Sequence, residues 1–256
     1  APIMRQAKSL GFDGVELSLL GVGLTDAAAL RTLSGELDLA LTCSTGLGAG
    51  DDPGSADPER RAAAIATLTN AVRTAGAMGA GVVASPWGYY EPARKSERAE
   101  YAAESLAKLD SILREEGVVM GIEALNRFES DLTNTAAETQ AIAVATGSQN
   151  IGVLLDTFHM NVEEKSPPAA IVATGKSLVH FHISDNDRGV PGSGHYDFKT
   201  TAQALSQIGY TGWVMAEMFV TAGNPNSADV NIWRNIEADP TEAARATLSF
   251  MQRIFS

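Results

Sequence analysis

The chain has 256 residues, of which 45% are hydrophobic, a net charge of −12 and a pI near 4.7. That length allows one large core, and the charge opposes binding to nucleic acid or an anionic membrane, because a phosphate-binding face must be basic. A single cysteine, Cys43, excludes an intrachain disulfide and a thiolate zinc site; with no 18-residue apolar run and no signal-peptide pattern, the expected location is cytoplasmic.

Strand-like and helix-like runs alternate along the whole chain. Pro2 to Leu10 reads as a short helix closed by Gly11, followed by strand Gly14 to Leu19 and helix Thr25 to Leu37, with Thr25 and Asp26 as caps. Strand Leu39 to Thr45 leads through the Gly-, Asp- and Pro-rich stretch Gly46 to Asp57 into a long helix that Pro58 opens and Met78 ends. Strand Gly81 to Ser85 precedes an aromatic loop, Pro86 to Pro92, and an amphipathic helix, Ser96 to Glu116. Next come strand Val118 to Leu125, helix Ala136 to Thr146, strand Ile151 to Asp156, a helix near Pro168 to Gly175 and strand Leu178 to Ser184. A glycine-rich loop, helix Thr200 to Ile208, strand Trp213 to Phe219 and helix Thr241 to Ile254 follow.

Near-continuous apolar strands separated by helices predict a parallel sheet buried on both faces. An open doubly wound sheet and a closed barrel both satisfy that pattern, and four polar residues decide between them. Glu123, Asp156, His182 and Glu217 stand near the ends of four consecutive strands, 33, 26 and 35 residues apart. A flat sheet would spread four strands over roughly 15 Å, at about 4.8 Å each, whereas the mouth of a barrel brings them to one point. The expected fold is therefore an α/β (β/α)8 TIM barrel forming one domain over residues 1–256. Such a barrel would place a strand before its first helix, yet Ala1 stands in helix-like sequence. The expectation is thus an N-terminally truncated barrel without its first strand, with open edges on the two flanking strands.

Three carboxylates and one imidazole suit a hard or borderline divalent cation such as Mn²⁺ or Mg²⁺. Residues two apart in a strand face the same way, so all four side chains can point inward; His180 points inward below His182 and reads as a hydrogen-bonded structural residue. A lone acid at a strand end is more often a helix cap or salt-bridge partner. Four at one height on successive strands point to a metal site. Elsewhere, the glycines of Arg188 to His195 would let the backbone close over a small polar ligand. Ser85 to Tyr90 carries aromatic rings that fit a ligand-stacking surface, a packed loop or a subunit contact. Phe158 reads as pocket wall, and Trp213 and Cys43 as packing residues.

The segments GIEALNRFE, LLDTFHMNVEE, HFHISDNDRGVPGSGH and AEMF, with GFDGVEL before them and IWR after them, resemble the motifs of the ketose 3-epimerases, the D-tagatose 3-epimerase-like branch of the xylose isomerase-like barrels. The resemblance spans essentially the whole chain. It implies that Glu123 and Glu217 are both metal ligands and the catalytic acid/base pair, that Asp156 and His182 complete the site, and that Glu129, His159 and Arg188 bind substrate hydroxyls. It also implies one divalent ion, Mn²⁺ first with Mg²⁺ or Co²⁺ as substitutes, a free ketose as substrate and a homodimer or homotetramer. The reaction expected is inversion at C3 through an enediolate, one carboxylate taking the proton and the other returning one to the opposite face while the cation stabilises the developing charge. The alternative is an aldose–ketose or hydroxypyruvate isomerase with the same metal site. A nuclease of the same superfamily would need more than the four histidines present and a basic surface, and intact Glu123 and Glu217 count against a non-catalytic sugar-binding module.

Overall fold

Seven short apolar runs pair side by side, all parallel and in chain order, into one sheet: β1 (Gly14–Ser18), β2 (Ala40–Gly46), β3 (Gly81–Ser85), β4 (Met120–Glu123), β5 (Ile151–Asp156), β6 (Leu178–Ile183) and β7 (Val214–Ala216). The computed structural model describes residues 1–20, 24–48, 50–85, 94–223 and 225–255, so the expected aromatic loop after Ser85 lies outside the described residues. Between the strands run α1 (Pro2–Leu10), α2 (Leu24–Leu37), α3 (Pro58–Met78), α4 (Lys95–Ala107), α5 (Asp110–Glu116), α6 (Ala136–Ala145), α7 (Thr157–Glu163), α8 (Pro167–Thr174), α9 (Phe198–Gln207), α10 (Pro225–Asp229) and α11 (Pro240–Ile254). None of the described helices is long and apolar enough to cross a membrane.

Local chemistry sets the helix ends. Asp57 accepts a hydrogen bond from the Glu59 amide with Pro58 in the first turn of α3, and Gly79 ends that helix at φ 73°. Thr135 and Glu138 form a reciprocal capping box at the start of α6. The single helix expected over Ser96 to Glu116 is instead two, α4 and α5, divided at Lys108 and Leu109, whose amides bond three residues back. Helices α7 and α10 are additions to the expected order.

Strand parity separates two environments. Val153 and Leu155 of β5, Phe181 and Ile183 of β6, and Met120 and Ile122 of β4 join the apolar core with helix residues such as Leu68, Leu113 and Ile171. The opposite face carries Glu123, Leu154, Asp156, His180 and His182. Register then sets relative height. Glu123 pairs with Leu154, two residues before Asp156; Asp156 pairs with His182; His182 pairs with Met215, two residues before Glu217. The three acids and one imidazole are thus staggered by two residues at two of three strand junctions, not level as expected. Even steps keep them on one face, and stagger of this kind is what tilted strands require in order to curl.

A bulge completes the alignment. Val153 pairs with Leu178, but Leu154 pairs with His180, so Val179 is an extra residue in β6. Without it, β6 would run one residue out of step with β5 and His182 would not stand beside Asp156. Gly152 makes room for the bulge, since a Cβ there would collide with the Val179 side chain and stand 2.6 Å from the Ser177 carbonyl oxygen.

Strands β1 and β7 are the outer members of the sheet, separated by a groove of about 430 Å³ lined by Phe12, Gly14, Val214, Met215, Leu248 and Met251 among others. Trp213, expected in the core, is 38% exposed at this groove and lies against Gly14. Cys43 is fully buried, and burial with the nearby Glu16 charge pushes its thiol up to about 12, which suits packing rather than reaction.

Gly152→Val is expected to destabilise the protein by about 1–3 kcal/mol through overpacking against the bulge. Urea unfolding of the metal-free protein measures this, and an unchanged midpoint would remove the bulge from this account.

Candidate metal centre

One ligand atom from each of Glu123, Asp156, His182 and Glu217 lies within 4.8 Å of the corresponding atoms of the other three. Glu123 ends β4, with its main-chain oxygen accepting a hydrogen bond from the Thr133 hydroxyl at 3.0 Å. Glu217 stands one residue past β7, and its amide extends the ladder to Ile183 O at 3.0 Å. Asp156 has two tasks on two oxygens. Oδ1 caps α7, accepting from the amides of Phe158 at 2.6 Å and His159 at 3.4 Å, while Oδ2 is buried with no hydrogen-bond partner among the described residues. The helix-cap reading of a strand-end acid is therefore met by Oδ1, and it leaves Oδ2 available for a ligand role.

These residues fit a divalent cation. Buried polar atoms are ordinarily paired, yet Asp156 Oδ2 and His182 Nδ1 lack hydrogen bonds among the described residues, and Nδ1 stands 3.8 Å from Glu217 Oε1. Three carboxylate donors and an imidazole are a donor set for Mn²⁺ or Mg²⁺ rather than for a soft metal.

Burial and crowding of like charges set the protonation of the site. Burial, with the Glu217 carboxylate adding to it, pushes Asp156 up to about 6, against the pull of His182 and Arg188. Burial also acts against charge on His182, but the carboxylates of Glu16, Glu217 and Glu123 outweigh it and hold the imidazole well above its ordinary value.

Glu129, His159 and Arg188 come together beside the four. Arg188 Nη1 is 3.2 Å from Glu129 Oε1, and Nη2 is 3.8 Å from Glu217 Oε2. The guanidinium lies against the rings of Phe158 and Phe219, 4.5 and 4.6 Å from their centroids; Phe158, expected as pocket wall, packs on the arginine, and Phe219 lines the cleft. His159 accepts a hydrogen bond at Nδ1 from the Asn126 amide at 3.1 Å, and its Nε2 stands 3.2 Å from Arg188 Nη2 and 3.6 Å from Glu123 Oε1. Burial, followed by the charges of Arg188 and His182, keeps His159 neutral. A cleft of about 380 Å³ is lined by Glu123, Glu217, Glu129, His159 and Arg188, together with Ser18, Ser44, Thr45 and others.

Sequence reasoning passed over two residues of this region. Asn126, 2% exposed, donates its side-chain amide to Glu129 Oε1 at 2.8 Å and so ties Glu129 to His159. Glu16 of β1 reaches across to both histidines of β6; an acid within the apolar run GVELSLL was the available signal. The glycine-rich stretch corrects its expectation. Gly192 donates to Asp185 Oδ2 at 2.7 Å, His195 donates to Asn186 Oδ1 at 3.0 Å, and the loop closes on its own side chains, with Arg188 alone of the eight residues lining the cleft.

The pattern of the xylose isomerase-like TIM barrel family matches residues 4–254. A D-psicose 3-epimerase of Agrobacterium fabrum is 34% identical over 97% of this chain and 91% of its own length, and an L-ribulose 3-epimerase of Mesorhizobium japonicum is 32% identical over 97% and 86%. Among solved structures, that of a D-psicose 3-epimerase with D-tagatose from Clostridium cellulolyticum superposes with a TM-score of 0.93, at 30% identity over 100% of this chain and 93% of the other. The chain belongs to the xylose isomerase-like TIM barrel family and, within it, stands with the ketose 3-epimerases.

Proposed function

We propose that the protein is a ketose 3-epimerase in which Glu123, Asp156, His182 and Glu217 hold one divalent ion, Mn²⁺ foremost, and in which Glu123 and Glu217 also exchange protons with the substrate. The observation that carries this reading is the division of the four among environments. Glu123 and Glu217 line the cleft, with side chains 10% and 29% exposed, whereas Asp156 and His182 lie behind them at 1% and do not line it. Two carboxylates can thus reach a bound sugar while the other two groups serve only to hold. When bound, the cation would supply Lewis-acid stabilisation of negative charge on the sugar oxygens, worth several kcal/mol.

The remaining steps belong to the chain. Arg188, Glu129 and His159 bring donors and acceptors to one side of the cleft, which orients the hydroxyls of a small sugar. A carboxylate on one side of C3 takes the proton, and the second carboxylate delivers one to the opposite side, so the centre inverts. Each transfer by a placed base is worth about 10²- to 10⁴-fold. The related 1,2-shift of an aldose–ketose isomerase needs only one proton carrier facing two adjacent carbons, so two carboxylates lining one cleft favour epimerisation.

Incubation with D-fructose, D-tagatose, D-psicose and ribulose in D₂O with Mn²⁺ is expected to yield C3 epimers carrying solvent deuterium at C3. Deuterium at C1 or C2, or turnover of hydroxypyruvate alone, would replace this reading with the isomerase, and turnover unaffected by complete chelation would remove the metal. Glu123→Gln and Glu217→Gln should each lower kcat by at least about 10²-fold at saturating Mn²⁺; wild-type turnover in either variant sinks the acid/base pair.

Metal affinity should weaken as pH falls. Asp156 and His182 both have raised pKa values in the metal-free site, so both hold protons that a cation must displace. The groups facing them are Glu16, Glu123, Glu217, His180 and Arg188. Proton release per Mn²⁺ bound, measured by calorimetry in buffers of different ionisation enthalpy, should therefore rise as pH drops through about 6. An affinity independent of pH between 5 and 8 would contradict this proton competition.

A further inference from the structure

To join Glu123, Asp156 and Glu217 around a cation, a neutral His182 must present a lone pair at Nδ1, and that requires its proton to sit on Nε2. Glu16, which also lines the cleft, stands at the Nε2 side of the ring and shows what fixes that choice. Glu16 Oε1 lies 3.0 Å from His182 Nε2. The contact is bent off the N–H direction, yet a carboxylate at that range favours a proton on the facing nitrogen over the remote one.

Glu16 is itself held. Its Oε2 accepts the Thr42 hydroxyl hydrogen at 2.9 Å and stands 2.8 Å from His180 Nε2. Glu16 and Thr42 are directly paired in the β1–β2 ladder, and His180 shares its face of β6 with His182, ring centroids 5.0 Å apart and edge to face. Three strands therefore converge behind one ligand, and Glu16 does not need to touch either cation or sugar to matter.

We propose that Glu16 is a positioning residue: it fixes His182 as the Nε2–H tautomer with Nδ1 as the ligating atom, while Thr42 and His180 hold Glu16 in place. The inference rests on the proposed metal centre. It accounts for His180, which would otherwise be a buried imidazole with no task, and for an acid in the middle of β1.

The test is Mn²⁺ binding by isothermal titration to the full chain, wild type against Glu16→Gln. The variant keeps the shape and loses the carboxylate charge, and its Mn²⁺ affinity should fall by about 10- to 100-fold, the usual cost of removing an outer-shell partner. At saturating Mn²⁺ its kcat should return to within a few-fold of wild type, which would not happen if Glu16 itself acted on the substrate in the cleft it lines. Thr42→Val should give a smaller loss of affinity in the same direction. A second measurement needs no variant. In the Mg²⁺-loaded wild type, ¹⁵N-resolved spectra of the four histidines should show His182 protonated at Nε2 and not at Nδ1. Wild-type Mn²⁺ binding with Glu16→Gln within twofold of it, or an Nδ1–H tautomer, overturns the positioning role and leaves the metal centre standing. A stoichiometry of two Mn²⁺, with the second lost in Glu16→Gln, also overturns it by making Glu16, His180 and His182 ligands. Absence of Mn²⁺ and Mg²⁺ binding to wild type overturns both.

Discussion

Like charges held together under burial are the constraint on which this structure turns. Glu16, Glu123, Asp156 and Glu217 all project to the inner face of one parallel sheet, and water is largely excluded from Asp156 and His182. Carboxylates so placed repel one another and lose hydration, and the upward shift of Asp156 records both effects. The compensating charges are few. Arg188 sits against Glu129 and Glu217, and its backbone is in the left-handed region at φ 65°, a conformation that costs a non-glycine residue of order 1 kcal/mol or more. Phe158 and Phe219 pack against the guanidinium, and the Phe219 amide bonds the Arg188 carbonyl at 3.0 Å. An arginine so confined offsets charge at the edge of the cluster, while at its centre the single imidazole of His182 faces the carboxylates of Glu123, Asp156 and Glu217, which is the physical reason to expect a divalent cation there.

Bringing the acids together is a problem of register more than of residue type. Inward parity on β4, β5 and β6 follows from alternation alone, but alternation does not say which inward residue stands beside which. The two-residue steps between Glu123 and Asp156 and between His182 and Glu217, and the extra Val179, make that choice. Gly152 is where the bulge becomes visible in composition, because only a residue without Cβ lets Val179 occupy the space.

These distinctions mark what could be read from the chain. The seven strands and the placing of Glu123, Asp156, His182 and Glu217 near their ends follow from apolar runs ending in acids or imidazoles, a pattern local to each segment, whereas Glu129, His159 and Arg188 were singled out only through the resemblance to the ketose 3-epimerases. Helix α7 was hidden because its cap is Asp156, already assigned to the end of a strand, and because the helix follows that strand with no intervening loop. Glu16 and Asn126 were hidden for a different reason: their partners lie 164 and 33 residues away, at His180 and His159, and no local period announces such a pair. The glycines at 192 and 194 misled because a loop that folds over its own Asp185 and Asn186 has the same composition as one that folds over a ligand.

The four central side chains differ in how they are restrained, and the difference matches the work proposed for them. Asp156 is fixed by the start of α7 through Oδ1, and His182 faces Glu16 from behind, so each keeps a single atom, Oδ2 or Nδ1, for the centre. Glu217 is the most exposed of the four and follows the last residue of the shortest strand, three residues long, which would let its carboxylate adjust between the proposed cation and sugar. A ligand that only binds profits from rigidity, since preorganisation lowers the ordering cost of capturing the ion. A ligand that also carries protons must keep one oxygen within reach of a carbon whose geometry changes during inversion. Rigid supports behind and a more open carboxylate in front is the arrangement that serves both needs on one sheet.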